Sequence, residues 1–168
     1  VEYSLIDDPI SRLAAVGAPT QPLMTAGFVG FGLGVSAFAA VLRRRLPGPA
    51  WIAATTTAGA TLLVAATPLD HSAFVDSLHG LFAGLGYVSL AAVPLLAARP
   101  LLAGGARLLG RTGVGVGVVS AVALVASLSG LPTGLFQRIG LTTTDAWLAA
   151  TAVAVLLGRF PARDRLAC

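Results

Sequence analysis

Two histidines and a few acids are the side chains here best equipped for proton chemistry. His71 and His79 are the only histidines, and Asp70 and Asp76 accompany them in the stretch DHSAFVDSLH. A metal site would draw three or four ligands from such a set. Two histidines in one short loop fall short of that, so no metal is expected. Bis-histidine haem needs histidines on facing helices and is rejected for the same reason, leaving no expected cofactor. His79 carries the sharper expectation. It stands directly before an apolar run, where it can point among helices, and an ionisable group at membrane depth is a functional-site hypothesis by default. With a carboxylate from Asp8 or Asp145 it could serve as a general base or proton relay, so His79, Asp145 and Asp8 form the candidate catalytic set. Arg138 could hold a lipid phosphate or a substrate carboxylate, with Ser11 and Trp147 completing a candidate binding set. Plainer roles compete at each position. Asp76 or Ser77 would cap a helix, His79 would sit at headgroup depth, Asp145 would face a helix N-terminus and Trp147 would join an aromatic belt.

The elements that must position these groups are apolar helices. Of 168 residues, 56% are hydrophobic and 11% charged, where a soluble domain carries roughly 25% charge. The formal net charge is +4, yet every basic residue is an arginine and the arginines fall in short clusters between apolar runs. That is the pattern of topology signals, and with no aromatic–basic interleaving it argues against a nucleic-acid partner. The uncharged runs predict five membrane spans, at about 22–42, 50–68, 79–98, 114–131 and 144–158, in a single domain with an external segment over 1–20. A membrane barrel would alternate over ~10-residue segments, whereas these runs are continuous and rich in Ala, Leu and Gly, so the fold class is an all-α membrane bundle. Leu135, Phe136 and Ile139 share one face opposite Gln137 and Arg138, which predicts a short helix lying in the outer interface.

Arginine placement sets the orientation. Arg43 to Arg45, Arg99, Arg107, Arg111, Arg159, Arg163 and Arg165 fall on one side of five alternating spans, leaving Arg12 and Arg138 on the other. Six of the seven acids, all but Asp164, lie opposite the clusters. By the positive-inside rule the protein is a multi-pass cell-membrane protein with its N-terminus extracytoplasmic and its C-terminus cytoplasmic. The first residues have no basic, apolar leader pattern, so an external N-terminus suggests a further span upstream. The segment IDDPISRLAAVGAP is expected to pack on the outer mouth of the bundle as a plug or lid, with Arg12 paired to an outer acid. The pairs Gly30/Gly34, Gly80/Gly84 and Gly113/Gly117 predict close helix packing, within this chain or with a second copy. Cys168, at the last position, has no partner for an intrachain disulfide.

Several short motifs occur in a suggestive order: Ile10-Ser11-Arg12-Leu13, Gly17-Ala18-Pro19, Pro68-Leu69-Asp70, His79-Gly80, and the stretch from Phe136 to Trp147. Together they resemble the DUF998 family of bacterial and archaeal integral membrane proteins and, more distantly, the Frag1/DRAM/Sfk1 group. The resemblance implies six spans in the family, the first preceding the Ile-Ser segment, and it brings no activity. Two functions therefore compete. One is a non-enzymatic bundle that binds or organises its partners: membrane lipids, a hydrophobic small molecule, a second copy or another membrane protein. The alternative is an intramembrane enzyme acting on a lipid or other hydrophobic substrate at an outward-facing site around His79. A transporter ranks last, because the spans hold few midplane polar groups beyond Thr55 to Thr57, Tyr87 and Ser89.

Overall fold

The computed structural model describes residues 3–160. Glu2, Arg163, Asp164, Arg165 and Cys168, which entered the charge and cysteine arguments, lie outside the described residues. A 3-10 turn, Ile10–Ala14, precedes five helices: α1 Gln21–Arg45, α2 Ala50–Ala66, α3 Ala73–Ala103, α4 Arg107–Leu128 and α5 Thr133–Leu156. Four of them are long and apolar enough to cross a membrane. The exception, α2, has 17 residues and at 1.5 Å per residue reaches about 25 Å, the lower limit for a span. Leu23, Leu33, Val88, Val122 and Val125 all point outward. Exposed apolar surface on every long helix suits lipid contact and no aqueous setting, so the chain is a helical membrane bundle.

Several helix limits differ from the expected spans, for local reasons. α3 begins at Ala73 because the Ser72 side chain accepts a bond from Val75 N at 3.3 Å. The cap is therefore Ser72, not Asp76 or Ser77. Asp76 lies in the first turn and accepts from Asp70 N at 2.9 Å, holding Asp70 at φ 63. The helix continues through Pro94 and Pro100 to Ala103, so Arg99 and Arg107 sit on helix ends, not in a long basic loop. At the other boundary, the expected interfacial helix and fifth span are one helix, α5. Its polar first turns are satisfied by the N-terminal segment, not by lipid headgroups.

Neighbours in sequence are neighbours in space. α1 packs on α2, α2 on α3, α3 on α4 and α4 on α5, with a lighter α3–α5 contact, while α1 and α5 do not pack closely. The α3–α4 seam is packed through glycine. A Cβ on Gly113 would stand 3.0 Å from the Pro94 carbonyl oxygen, and one on Gly117 3.0 Å from that of Ala91. These helices can approach only because both positions lack a side chain. The other two glycine pairs do not behave this way: Gly30, Gly34, Gly80 and Gly84 face open space within the chain.

The two halves of the bundle differ in filling. Toward the arginine-rich end lies the core of Val35, Phe38, Leu42, Ala54, Val93, Ala97, Leu101 and Trp147. The half beneath the N-terminal segment is hollow.

Candidate functional site

That hollow is a cavity of about 290 Å³ between α1, α2, α3 and α5. Met24, Gly27, Phe28 and Phe31 from α1 line it, with Phe82, Ala83 and Leu90 from α3. Its polar wall consists of Ser11, Thr57, Thr61, Tyr87 and Asp145. Ile10 and Ser11 of the 3-10 turn form its roof. Two wall hydroxyls are occupied within the protein. Thr57 Oγ1 bonds the Ala53 carbonyl at 3.0 Å and meets Ser89 Oγ at 2.9 Å, tying α2 to α3. Thr61 Oγ1 donates to the Thr57 carbonyl at 2.9 Å. Asp145 is different: its Oδ1 is buried and has no hydrogen-bond partner among the described residues.

Asp145 does not stand near the start of its helix. It lies twelve residues after Thr133 in a helix of 24, about 18 Å along the axis, too far for a useful interaction with the N-terminal dipole. It borders a second space as well. A groove of about 320 Å³ between α1 and α5 is lined by Phe31, Val35, Phe38, Asp145, Leu148 and Ala152. Phe31 and Asp145 belong to both walls. The two residues thus stand between the inner cavity and the groove, where α1 and α5 do not pack closely on each other.

The other expected site residues lie elsewhere. His79 is buried, and its Nδ1 lies 2.6 Å from the Thr67 carbonyl oxygen, fastening α3 to the end of α2. Its Nε2 has no hydrogen-bond partner among the described residues, but the ring does not line the cavity. Asp8 Oδ2 accepts from Ser4 N at 2.8 Å within the N-terminal segment. Arg138 is fully engaged in holding that segment. Its Nη1 donates to the carbonyls of Leu5 at 2.7 Å, Asp8 at 3.2 Å and Gly134 at 2.8 Å, and its Nη2 to the Tyr3 hydroxyl. The guanidinium also lies 5.7 Å from the Tyr3 ring centroid. Trp147 is buried rather than at a membrane interface, and its Nε1 donates to the Leu109 carbonyl of α4 at 3.1 Å. Of the six candidates, Asp145 and Ser11 share the cavity. Among the described residues, no group of three or more His, Cys, Asp or Glu side chains is placed to hold a metal ion.

The N-terminal segment covers this end of the bundle from the α2–α3 turn to α5. Val16 N donates to the Leu69 carbonyl at 2.9 Å, Ile10 N to Gln137 Oε1 at 2.7 Å, and Leu135 N to the Ile6 carbonyl at 2.8 Å. Arg12 pairs with Asp70 at 2.8 Å, as expected of an arginine near an outer acid, though both are about half exposed and the pair contributes little. Gly134 permits the approach, because a Cβ there would collide with the Asp8 carbonyl. Sequence reasoning did not single out Gly134 or Thr61, and it named Thr57 and Gln137 only as a midplane hydroxyl and as part of a polar helix face. Gln137 gave a usable signal, an amide one residue from Arg138 beside an apolar helix.

No curated protein and no solved structure matches the chain. One family model does match, over residues 1–154, and it carries the description "Protein of unknown function (DUF998)". With its short motifs, five-helix membrane bundle and family match in agreement, the chain belongs to the DUF998 family.

Proposed function

We propose that this protein is a non-enzymatic membrane bundle that holds a hydrophobic molecule beneath its N-terminal segment. The cavity of about 290 Å³ carries this reading. It has room for on the order of ten water-sized groups, and its wall is mostly apolar. Ligand sites are commonly of this kind, apolar with a few directed polar groups. An intramembrane enzyme would need His79 and an acid to converge on one space, and His79 lies outside this one. In this reading the N-terminal segment is extracytoplasmic, the arginine-rich end cytoplasmic and the host bilayer the cell membrane, following the positive-inside rule. A bacterial or archaeal source, and distant kinship with the Frag1/DRAM/Sfk1 group, belong to the same proposal and rest on the short motifs.

Native mass spectrometry of the purified chain tests the idea. Ala83→Phe and Gly27→Leu place bulk in the cavity, Gly27 having open space beside it. A co-purifying apolar species should be retained by the unaltered chain and depleted in both variants. An identical complement in all three would overturn the proposal.

A further inference from the structure

We propose that the cavity selects a single-chain lipophilic amine, its ammonium held at Asp145 and its tail lying among the apolar side chains of the cavity. This rests on the binding function proposed above and names the ligand class. Three observations lead to it. Asp145 Oδ1 is buried and unpartnered, so a hydrogen-bond donor is missing from the site. No cation of the described protein supplies that donor: Arg138, two turns away on α5, is occupied by the Leu5, Asp8 and Gly134 carbonyls. Asp145 also lines a cavity whose other walls are chiefly apolar, so one molecule can reach that residue and bury a tail beside it.

Chemistry narrows the class. A carboxylate accepts, and its strongest partners are charged donors. A fatty acid would set a second carboxylate beside the first, whereas an alcohol would offer one neutral donor. Asp145 lies about 18 Å along α5 from its start, whereas an ordinary phospholipid ammonium stays at the interface, which favours a single-chain amine. Tyr87 also lines the cavity, and a phenol oxygen can accept a hydrogen bond from an ammonium. The rest of the cavity is walled chiefly by apolar side chains, among them Met24, Phe28, Phe31, Phe82 and Leu90.

The test uses the full chain in phosphatidylcholine nanodiscs with photoreactive diazirine probes of roughly ten carbons, matched to the cavity. The probes are a primary amine, the corresponding alcohol and the corresponding carboxylic acid. The amine should label residues 27–31 and 141–148 about tenfold more efficiently than the alcohol, and the acid least. Asp145→Asn, which keeps the side chain's size, should bring amine labelling down to the alcohol's level and leave alcohol labelling unchanged. Equal labelling by amine and alcohol, or an Asp145→Asn variant that labels like the unaltered chain, would overturn the amine assignment while leaving the cavity function standing. Labelling indifferent to Ala83→Phe for every probe would remove the cavity function and the amine with it. Adding phosphatidylethanolamine to the nanodiscs should not reduce amine labelling. Competition by that lipid would assign the site to a phospholipid head and overturn the single-chain ligand.

Discussion

Replacing Arg138 with glutamine should release the N-terminal segment without unfolding the bundle. The guanidinium makes three hydrogen bonds to that segment, to the Leu5 carbonyl at 2.7 Å, the Asp8 carbonyl at 3.2 Å and the Tyr3 hydroxyl. A hydrogen bond to a charged group contributes about 1.5–3 kcal/mol. The longer bond is the weaker, and bonds sharing one nitrogen do not add in full, so the combined loss is about 3 kcal/mol. Three backbone attachments remain, Leu135 N to the Ile6 carbonyl, Ile10 N to Gln137 Oε1 and Val16 N to the Leu69 carbonyl, so the segment loosens without leaving entirely. Since each 1.4 kcal/mol is tenfold, the amides of Asp8, Ile10 and Leu135 should exchange on the order of a hundredfold faster. Hydrogen exchange read by mass spectrometry on peptides covering 4–16 and 133–140 would measure this, with peptides from α3 and α4 as internal controls. Unchanged exchange at 4–16 would refute the role assigned to Arg138. Uniform acceleration across α3 and α4 would refute the view that the segment opens independently.

Three further outcomes follow from the packing. Gly117→Val forces a side chain against the Ala91 carbonyl and Leu95 and should lower stability by about 1–3 kcal/mol, whereas Gly84→Ala, facing open space, should change it by less than about 0.5 kcal/mol; thermal unfolding of the two variants in one detergent compares them. His79→Ala removes a buried ring and the partner of the Thr67 carbonyl, at a cost of about 2–4 kcal/mol, so proteolysis of the α2–α3 turn should increase. Thr57→Val deletes the interhelical contact with Ser89 but leaves Ser89 Oγ bonded to the Leu85 and Gly86 carbonyls. Its unfolding midpoint should therefore fall only by the equivalent of about 0.6 kcal/mol.

The class of fold was legible because hydrophobic runs long enough to cross a bilayer leave few other solutions. Helix ends were less legible, and α5 shows why. Hydropathy reads Gln137, Arg138 and the run Thr142 to Thr144 as an interface, since it scores a polar group without its partners. In the folded chain Gln137 and Arg138 bond to the N-terminal segment, and Thr144 returns its hydroxyl to the Gly140 carbonyl at 3.0 Å. The polar stretch is thereby satisfied inside one continuous helix, and Asp145 moves from a helix start to its middle. The same logic governs the glycines. All three spaced pairs read alike in sequence, but only Gly113 and Gly117 face another backbone, because the spacing does not say which way a helix is turned. The cavity had no signature: Thr57, Tyr87 and Asp145 come from three helices and become one wall only after packing.

The order of contacts also constrains how the molecule can be assembled. Each helix rests chiefly on its predecessor, so the bundle can grow in step with insertion of the chain, one hairpin at a time. The roof is the exception. Ile10 binds a side chain 127 residues further on, and Arg138 reaches back across a comparable separation. The segment over 3–16 must therefore wait, unattached to its final site on α5, until that helix is inserted. The cavity is roofed only once α5 is in place, and a chain stopped before α5 would be a membrane protein with its cavity still open.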